Sequence, residues 1–414
     1  MSPQHMPENQ PTSPPPLDGL LVADFSRVLA GPLASMFLAD LGACVIKVER
    51  PGSGDDTRSW GPPYVGPVTT YYTSVNRNKR SVTLDLADRG DLELARRLTR
   101  RADVLIENYR PGKLAVFGLD AATLADENPG LVYCSISGFG TGAGAHLPGY
   151  DFVAQAVGGL MSITGEPGGS PVKVGVALVD VLTGLHATIG ILAALRERQR
   201  SGRGQIVEVN LLSSLLSSLV NQGAAYINGT GVPSAMGNEH PSIAPYETLK
   251  TRDVPIAVAA GNDRQFAAMA AAVGRPELAA DPRFATNRDR VANRPELVAA
   301  LESALSGHDA AYWTDRLQSR GVPCGPVNDI GAAIELATRL GLDPVVHHPS
   351  SGEHDIATLA NPITLTRTPV RYHGAPPALG ADDSAVRAWL SAGCPVAADL
   401  SDHPRSGPSA RTGR

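Results

Sequence analysis

Apolar residues in the first half of the chain fall into short runs separated by helical stretches. Leu20–Phe25 and Cys44–Glu49 are brief runs with β-branched residues; between them Pro32–Leu41 carries proline in its first turn and Gly42 beyond its end, which predicts a helix. Val104-Leu105-Ile106 and Leu131–Ile136 each follow a helical pattern rich in arginine and leucine. Strands alternating with helices predict an α/β domain with a parallel, doubly wound, Rossmann-like sheet. The charged connection RERQRSGRGQ leads to a strand at Ile206–Val209 and an apolar helix of leucine and serine. Composition shifts again at Gly229–Pro245. Beyond it Pro255–Ala259 predicts a strand followed by helices, NRPELVAALESAL the clearest, which places a smaller α+β domain at 228–328. Residues 17–227 form the first part of the large domain, and 329–395 return to it through short extended runs such as Ile363-Thr364-Leu365 and a helix near Asp382. The ends, 1–16 and 396–414, read as disordered tails.

A length of 414 residues is enough for two domains. With 43% hydrophobic and 19% charged residues the composition is that of an ordinary globular chain, and a net charge of −5 argues against a nucleic-acid or anionic-membrane surface. No apolar run is expected to reach the length that spans a bilayer. The N-terminus has no apolar signal core and little arginine, so a cytoplasmic setting is expected. Cys44, Cys134, Cys324 and Cys394 are scattered without CxxC spacing, consistent with reduced thiols. His347, His348 and His354 read as part of a Pro/Ser/Gly loop with no second ligand cluster, so no metal is expected.

Asp180 opens an almost uncharged stretch flanked by Gly175 and Gly184, and the apolar, small-residue run from Leu185 to Leu195 predicts a buried helix. An acid in a first helical turn sits at the positive end of the helix dipole, which favours the ionised, nucleophilic form. Aspartate is equally a preferred N-cap, so the position alone admits either role. Four stretches at strand ends add to it: Arg27–Pro32, Glu49–Arg58, Asn76–Ser81 and Glu107–Gly112. Each alone reads as a turn or a solvated loop. Together they place basic and polar groups where doubly wound sheets receive nucleotide-like ligands. GFGTGA at Gly138–Ala143 matches a dinucleotide fingerprint after a strand, but Gly144, Pro148 and Gly149 oppose a helix start, so no NAD site is expected. Cys324, between Pro323 and Gly325, reads as a rigid turn.

RVLAGP, DLGACVIKVERPGSGDDTR, NRNKRS, ENYRPGKL, GYD, GVALVDVLTGLHA and GVPCGPV occur in this order between Leu17 and about Leu390. In these motifs the chain resembles the family III CoA transferases, the formyl-CoA and carnitine CoA transferase group. SWGPPYVG, YYTSVNRNKRS, GLMSITGEP, VNLLSS and AAGNDRQF carry a closer likeness to members that use succinyl-CoA and a dicarboxylate such as glutarate. The resemblance implies a CoA-binding large domain and an interlaced homodimer. It also implies acyl-CoA and a small carboxylic acid as substrates, with coenzyme A the only cofactor. Asp180 falls on the family's catalytic aspartate, which works through aspartyl anhydrides and an aspartyl-CoA thioester.

Carried over position by position, Val28, Ala30, Arg50, Leu84, Asn108 and Tyr109 match CoA-binding residues. Tyr150 and Asp151 match a Tyr-Glu pair near the catalytic aspartate. Leu29 stands where the formyl-CoA enzyme has glutamine, which argues against oxalate or formate chemistry. Ala87 replaces a lysine, and Val116 replaces an arginine whose phosphate contact would be lost or supplied elsewhere, with Arg110 the candidate. The family's glycine-rich lid corresponds to Ala259-Ala260-Gly261-Asn262, and Gly261 is placed near the centre. Arg77, Arg264 and His240 are the candidates for a distal carboxylate. The rival enzyme reading is a racemase of the α-methylacyl-CoA type, which has histidine in place of Tyr150; two acid/base groups are needed there, and tyrosine, with a pKa of about 10, serves poorly. A non-catalytic CoA-binding homologue is the third reading.

Overall fold

The structure is a computed structural model and describes residues 13–348 and 355–394. Of the tail expected at 1–16, residues 13–16 are described and Pro15 is buried; His354 and the tail expected at 396–414 lie outside the described residues. Two compact units are present. One comprises the residues up to 158, 175–224 and those from 343 on, and the other 159–174 with 225–342. The smaller unit thus takes in 159–174 and 329–342, which the sequence had grouped with the large domain. Within it Gly237 N–H donates to Gly165 O at 2.8 Å, tying the first of these segments in.

Six strands of the larger unit form one parallel sheet in the order Lys79–Thr83, Cys44–Glu49, Leu21–Asp24, Val104–Glu107, Val132–Ser137, Ile206–Asn210. Along the chain this is the doubly wound order, and the direction of winding reverses between Leu21–Asp24 and Val104–Glu107. Successive side chains of the first strand enter opposite layers. Leu21, Ala23 and Phe25 pack with Leu98, Leu105 and Trp389, whereas Val22 packs with Ala34, Leu38, Val104 and Ile191. Covering on both faces is why these strands read as unbroken apolar runs instead of alternating ones. Ile363-Thr364-Leu365 forms no strand, and the last described helix is Asp383–Ser391.

The edge strand Lys79–Thr83 corrects the reading of Asn76–Ser81 as a ligand-facing basic cluster. Arg77 is 2% exposed and holds Asp40 with two hydrogen bonds, Nε–Oδ1 at 3.0 Å and Nη2–Oδ2 at 2.6 Å. It is therefore unavailable to a substrate carboxylate. Arg58 is likewise spent: it grips Glu49 through Nε and Nη2 at 2.8 and 2.7 Å and stacks 3.7 Å from the Tyr72 ring centroid. His347 and His348 lie in the strand Val345–His348, paired antiparallel with Ile356–Leu359, not in a loop.

The helix Leu178–Ser201 corrects a second expectation. Its 24 residues, with a mean hydropathy of 1.8 over an 18-residue window, do reach membrane-crossing length. Half of that window is buried inside the chain, where Ala187, Ile191, Ala194 and Leu195 join the core beside Ala34 and Leu38. The helix lies close to the Ala30–Asp40 helix, since a Cβ on Gly184 would stand 2.7 Å from Ala30 O.

The smaller unit is a three-stranded antiparallel sheet, Cys324–Pro326, Ile256–Ala259 and Tyr246–Leu249, packed under helices through Phe266, Met269, Leu297, Leu301 and Trp313. Cys324 is thus a strand residue and not part of a turn.

Candidate active site

A cavity of about 270 Å³ opens at the carboxyl ends of Leu21–Asp24, Val104–Glu107 and Val132–Ser137. This is the reversal point of the sheet, where loops on neighbouring strands part and a ligand can enter. Arg27–Ala30 line it from the first loop, Asn108–Pro111 from the fourth strand's loop, Gly138–Gly140 and Gly149–Tyr150 from the glycine-rich segment, and Asp180 from the long helix. Every lining residue belongs to the larger unit.

The first loop is held from beneath by buried charges. Asp24 accepts from Ser26 N at 2.9 Å and from Ser35 Oγ at 2.6 Å, Lys47 Nζ donates to Ser26 O at 2.9 Å, and Lys79 Nζ donates to Pro32 O at 2.8 Å. Burial alone would raise the Asp24 carboxyl, but the ammonium groups of Lys79 and Lys47 bring it down to about 2. From the side, Asn108 exchanges hydrogen bonds with the Arg27 main chain, Arg27 N to Oδ1 at 2.9 Å and Nδ2 to Arg27 O at 2.7 Å. So fastened, Val28 sits at φ 70°, a left-handed conformation that a β-branched residue adopts only under constraint. Its N–H donates to Asp55 Oδ1 at 3.2 Å.

No helix follows the GFGTGA segment; the chain stays irregular until Asp151–Val157. Its glycines serve a backbone crossing. A Cβ on Gly138 would lie 2.7 Å from Gly149 Cα, and one on Gly149 would lie 2.5 Å from Gly138 Cα. That crossing delivers Tyr150, 56% exposed, to the cavity wall and Asp151 to the interior.

Asp151 caps the helix that carries Asp180. Its Oδ1 accepts from Val179 N at 2.7 Å and Asp180 N at 3.2 Å, and its Oδ2 accepts from Gln155 Nε2 at 2.7 Å. Asp180, the third residue of Leu178–Ser201, is therefore not the cap that its sequence position admits, and among the described residues no hydrogen bond reaches its carboxylate. The expectation that the helix dipole keeps it readily ionised is also corrected. Burial first, and the neighbouring Asp151 charge second, push its pKa up to about 7. Tyr71, absent from the sequence candidates, feels the same charges: burial and then Asp180 and Asp151 raise its phenol to about 12.

Other assignments divide. Val28, Leu29, Ala30, Asn108, Tyr109, Arg110 and Tyr150 line the cavity. Leu84 does not: it is 2% exposed in the core with Val82 and Leu98, because it directly follows the edge strand. Arg50 is exposed and outside the lining, although its charge reaches Tyr109. Gly261 belongs to the smaller unit, where its N–H donates to Gln265 Oε1 at 3.0 Å. Arg264 and His240 are in that unit too, and His240 Nδ1 accepts from Ser242 N at 3.0 Å. Arg27 and Asp56, which lie in two of the strand-end stretches but were given no role of their own, also line the cavity.

Comparison with known proteins places the chain in a family. The sequence profile of CoA-transferase family III matches residues 17–383. The succinyl-CoA:glutarate CoA-transferase of Homo sapiens is 41% identical over 393 residues, covering 91% of this chain and 89% of that protein. The acetyl-CoA:oxalate CoA-transferase of Acetobacter aceti is 44% identical over 334 residues, 80% of this chain and 86% of that one. Among solved structures, a CAIB/BAIF family protein from Brucella suis superposes with a TM-score of 0.81 at 42% identity, covering 91% of this chain and 100% of its own.

Proposed function

Because the chain belongs to CoA-transferase family III, we propose that it moves CoA from succinyl-CoA to glutarate with Asp180 as the nucleophile. The observation that carries this is the free carboxylate of Asp180 in the cavity wall, on a helix end capped by a different residue. In the first step an Asp180 oxygen bonds to the thioester carbonyl carbon, the C–S bond breaks, and CoA leaves as thiolate. The thiolate then attacks the aspartyl carbonyl of the anhydride and expels succinate. A glutarate carboxylate displaces the thiolate again, and the thiolate takes the glutaryl group, returning Asp180 as carboxylate. No proton is consumed over the cycle.

The named substrates rest on relatives of Homo sapiens and Mus musculus, 41% and 43% identical to this chain. The acetyl-CoA:oxalate CoA-transferase of Acetobacter aceti, at 44%, makes oxalate the acceptor to set against glutarate. Initial rates with succinyl-CoA and a panel of glutarate, oxalate, formate and mesaconate decide the matter. Glutarate is expected to give the highest kcat/KM; a higher value for oxalate overturns the acceptor but keeps the transferase. Exchange of the α-proton of the acyl-CoA without transfer would place the chain with the racemases. CoA binding with neither reaction would leave a binding protein.

The raised pKa of Asp180 gives the reaction a pH signature. Only the carboxylate attacks, so kcat/KM should rise with pH through an acid limb near 7. Asp151→Asn keeps an oxygen to cap Val179 and Asp180 but removes the negative neighbour, so the limb should move to lower pH. A limb that stays in place shows that burial alone sets it.

A further inference from the structure

Arg27 reaches the cavity with half of its guanidinium engaged. Nη1 pairs with Asp56 Oδ2 at 2.9 Å, the guanidinium carbon lies 5.5 Å from the Tyr109 ring centroid, and Asn108 pins the main chain. Nε is shielded from solvent and has no hydrogen-bond partner, and Nη2 bonds to none of the described residues. A guanidinium held on one side by a carboxylate keeps its remaining N–H donors for an oxygen of another carboxylate or of a phosphate. An oxyanion entering the cavity would supply a hydrogen bond that Nη2 otherwise lacks. A purely structural role explains the geometry less well, because the partly exposed Arg27–Asp56 pair adds little stability of its own.

We propose that Arg27 is an anion-binding residue of the cavity, its Nη2 donating to an oxyanion of the acyl-CoA. The proposal rests on the transferase reading. Succinyl-CoA offers two such groups, the phosphates of CoA and the distal carboxylate of the succinyl chain. Arg77, the sequence candidate for the carboxylate, is consumed by Asp40. Arg110 is the other basic residue in the lining; it is exposed on a loop and has no counterpart to the Asp56 and Tyr109 brace.

Calorimetric titration of the full chain tests it, with Asp180→Ala as parent so that ligands bind without turnover. CoA, butyryl-CoA and succinyl-CoA are titrated into the parent, into Arg27→Met and into Arg27→Lys. A loss of tenfold or more for all three ligands in Arg27→Met assigns the phosphates. The same loss for succinyl-CoA alone assigns the distal carboxylate. Arg27→Lys, which keeps the charge beside Asp56 but not the Nη2 donor, is expected to fall between, and it carries the test if Arg27→Met fails to fold. Affinities equal to the parent's for all three ligands overturn the proposal and leave the transferase reading standing. A parent that binds no CoA overturns the transferase reading, and the role of Arg27 with it.

Discussion

Asp180→Ala should abolish CoA transfer, with a fall in kcat of about 10⁴-fold or more, while the chain still binds acyl-CoA. The magnitude is that of deleting the nucleophile in a covalent mechanism, where residual rate comes only from binding and orientation. The structure adds an expectation of opposite sign for stability. The Asp180 carboxylate accepts no hydrogen bond among the described residues, and its pKa rises to about 7 from 3.8. A folded-state pKa above the unfolded one means that the folded chain holds the proton more tightly. Ionising Asp180 therefore costs stability, a cost that starts near the unfolded pKa and is complete above about 7. Asp180→Ala should match or exceed the native chain in thermal stability at pH 8, and the difference should shrink toward pH 4. Activity assays, peptide mapping after trapping the acyl-enzyme with hydroxylamine, and melting curves at the two pH values check both halves. A variant that loses activity and also melts lower at pH 8 would mean that Asp180 is a scaffold residue.

What the sequence showed and what it hid follow from how each element is solvated. The strands buried on both faces were visible because their residues are mostly apolar, as in Val104–Glu107 and Val132–Ser137. The edge strand Lys79–Thr83 was hidden because its buried members include Lys79 and Ser81, and a buried lysine looks the same in sequence as a solvated one. The same blindness made Arg77 a substrate candidate. Asp180 was legible because a lone acid in an apolar stretch stands out. Its ionisation was not, since the dipole argument sees only the helix itself, whereas burial and Asp151 act through space. That Asp151, 29 positions away, supplies the cap could be learned only from the Gly138–Gly149 crossing that brings it there. The pairing of Arg27 with Asp56 is equally a product of two loops meeting.

Asp24→Ala should cost about 3–5 kcal/mol of unfolding free energy, the range for removing one partner of a buried ion pair. It should also weaken acyl-CoA binding, although Asp24 is not among the residues lining the cavity. Asp24 and Lys79 are fully buried and 3.1 Å apart, and Lys79 is already pushed down to about 8 by burial against the pull of Asp24. Without the carboxylate, Lys79 keeps Pro32 O and Asn76 Oδ1 but loses its nearest counter-charge, Ser26 N loses its acceptor, and Ser35 Oγ keeps only Pro32 O. These are the groups that hold the loop in which Val28 is kept left-handed, so relaxation there should spread into the cavity wall. The pH dependence of the deficit follows from Lys79. With its pKa lowered further in the variant, the folded state sheds that proton at lower pH than the native chain does. Stability of the variant then climbs with pH before that of the native chain, making the deficit greater near pH 6 than near pH 8. Pairing the change with Lys79→Met removes the stranded ammonium, and the double variant should be more stable than Asp24→Ala alone. Denaturant unfolding of the four chains gives the coupling, and titration with CoA gives the affinity. Additive losses in the double variant would show that Asp24 and Lys79 act separately. An unchanged CoA affinity in Asp24→Ala would show that the loop holds its shape without them.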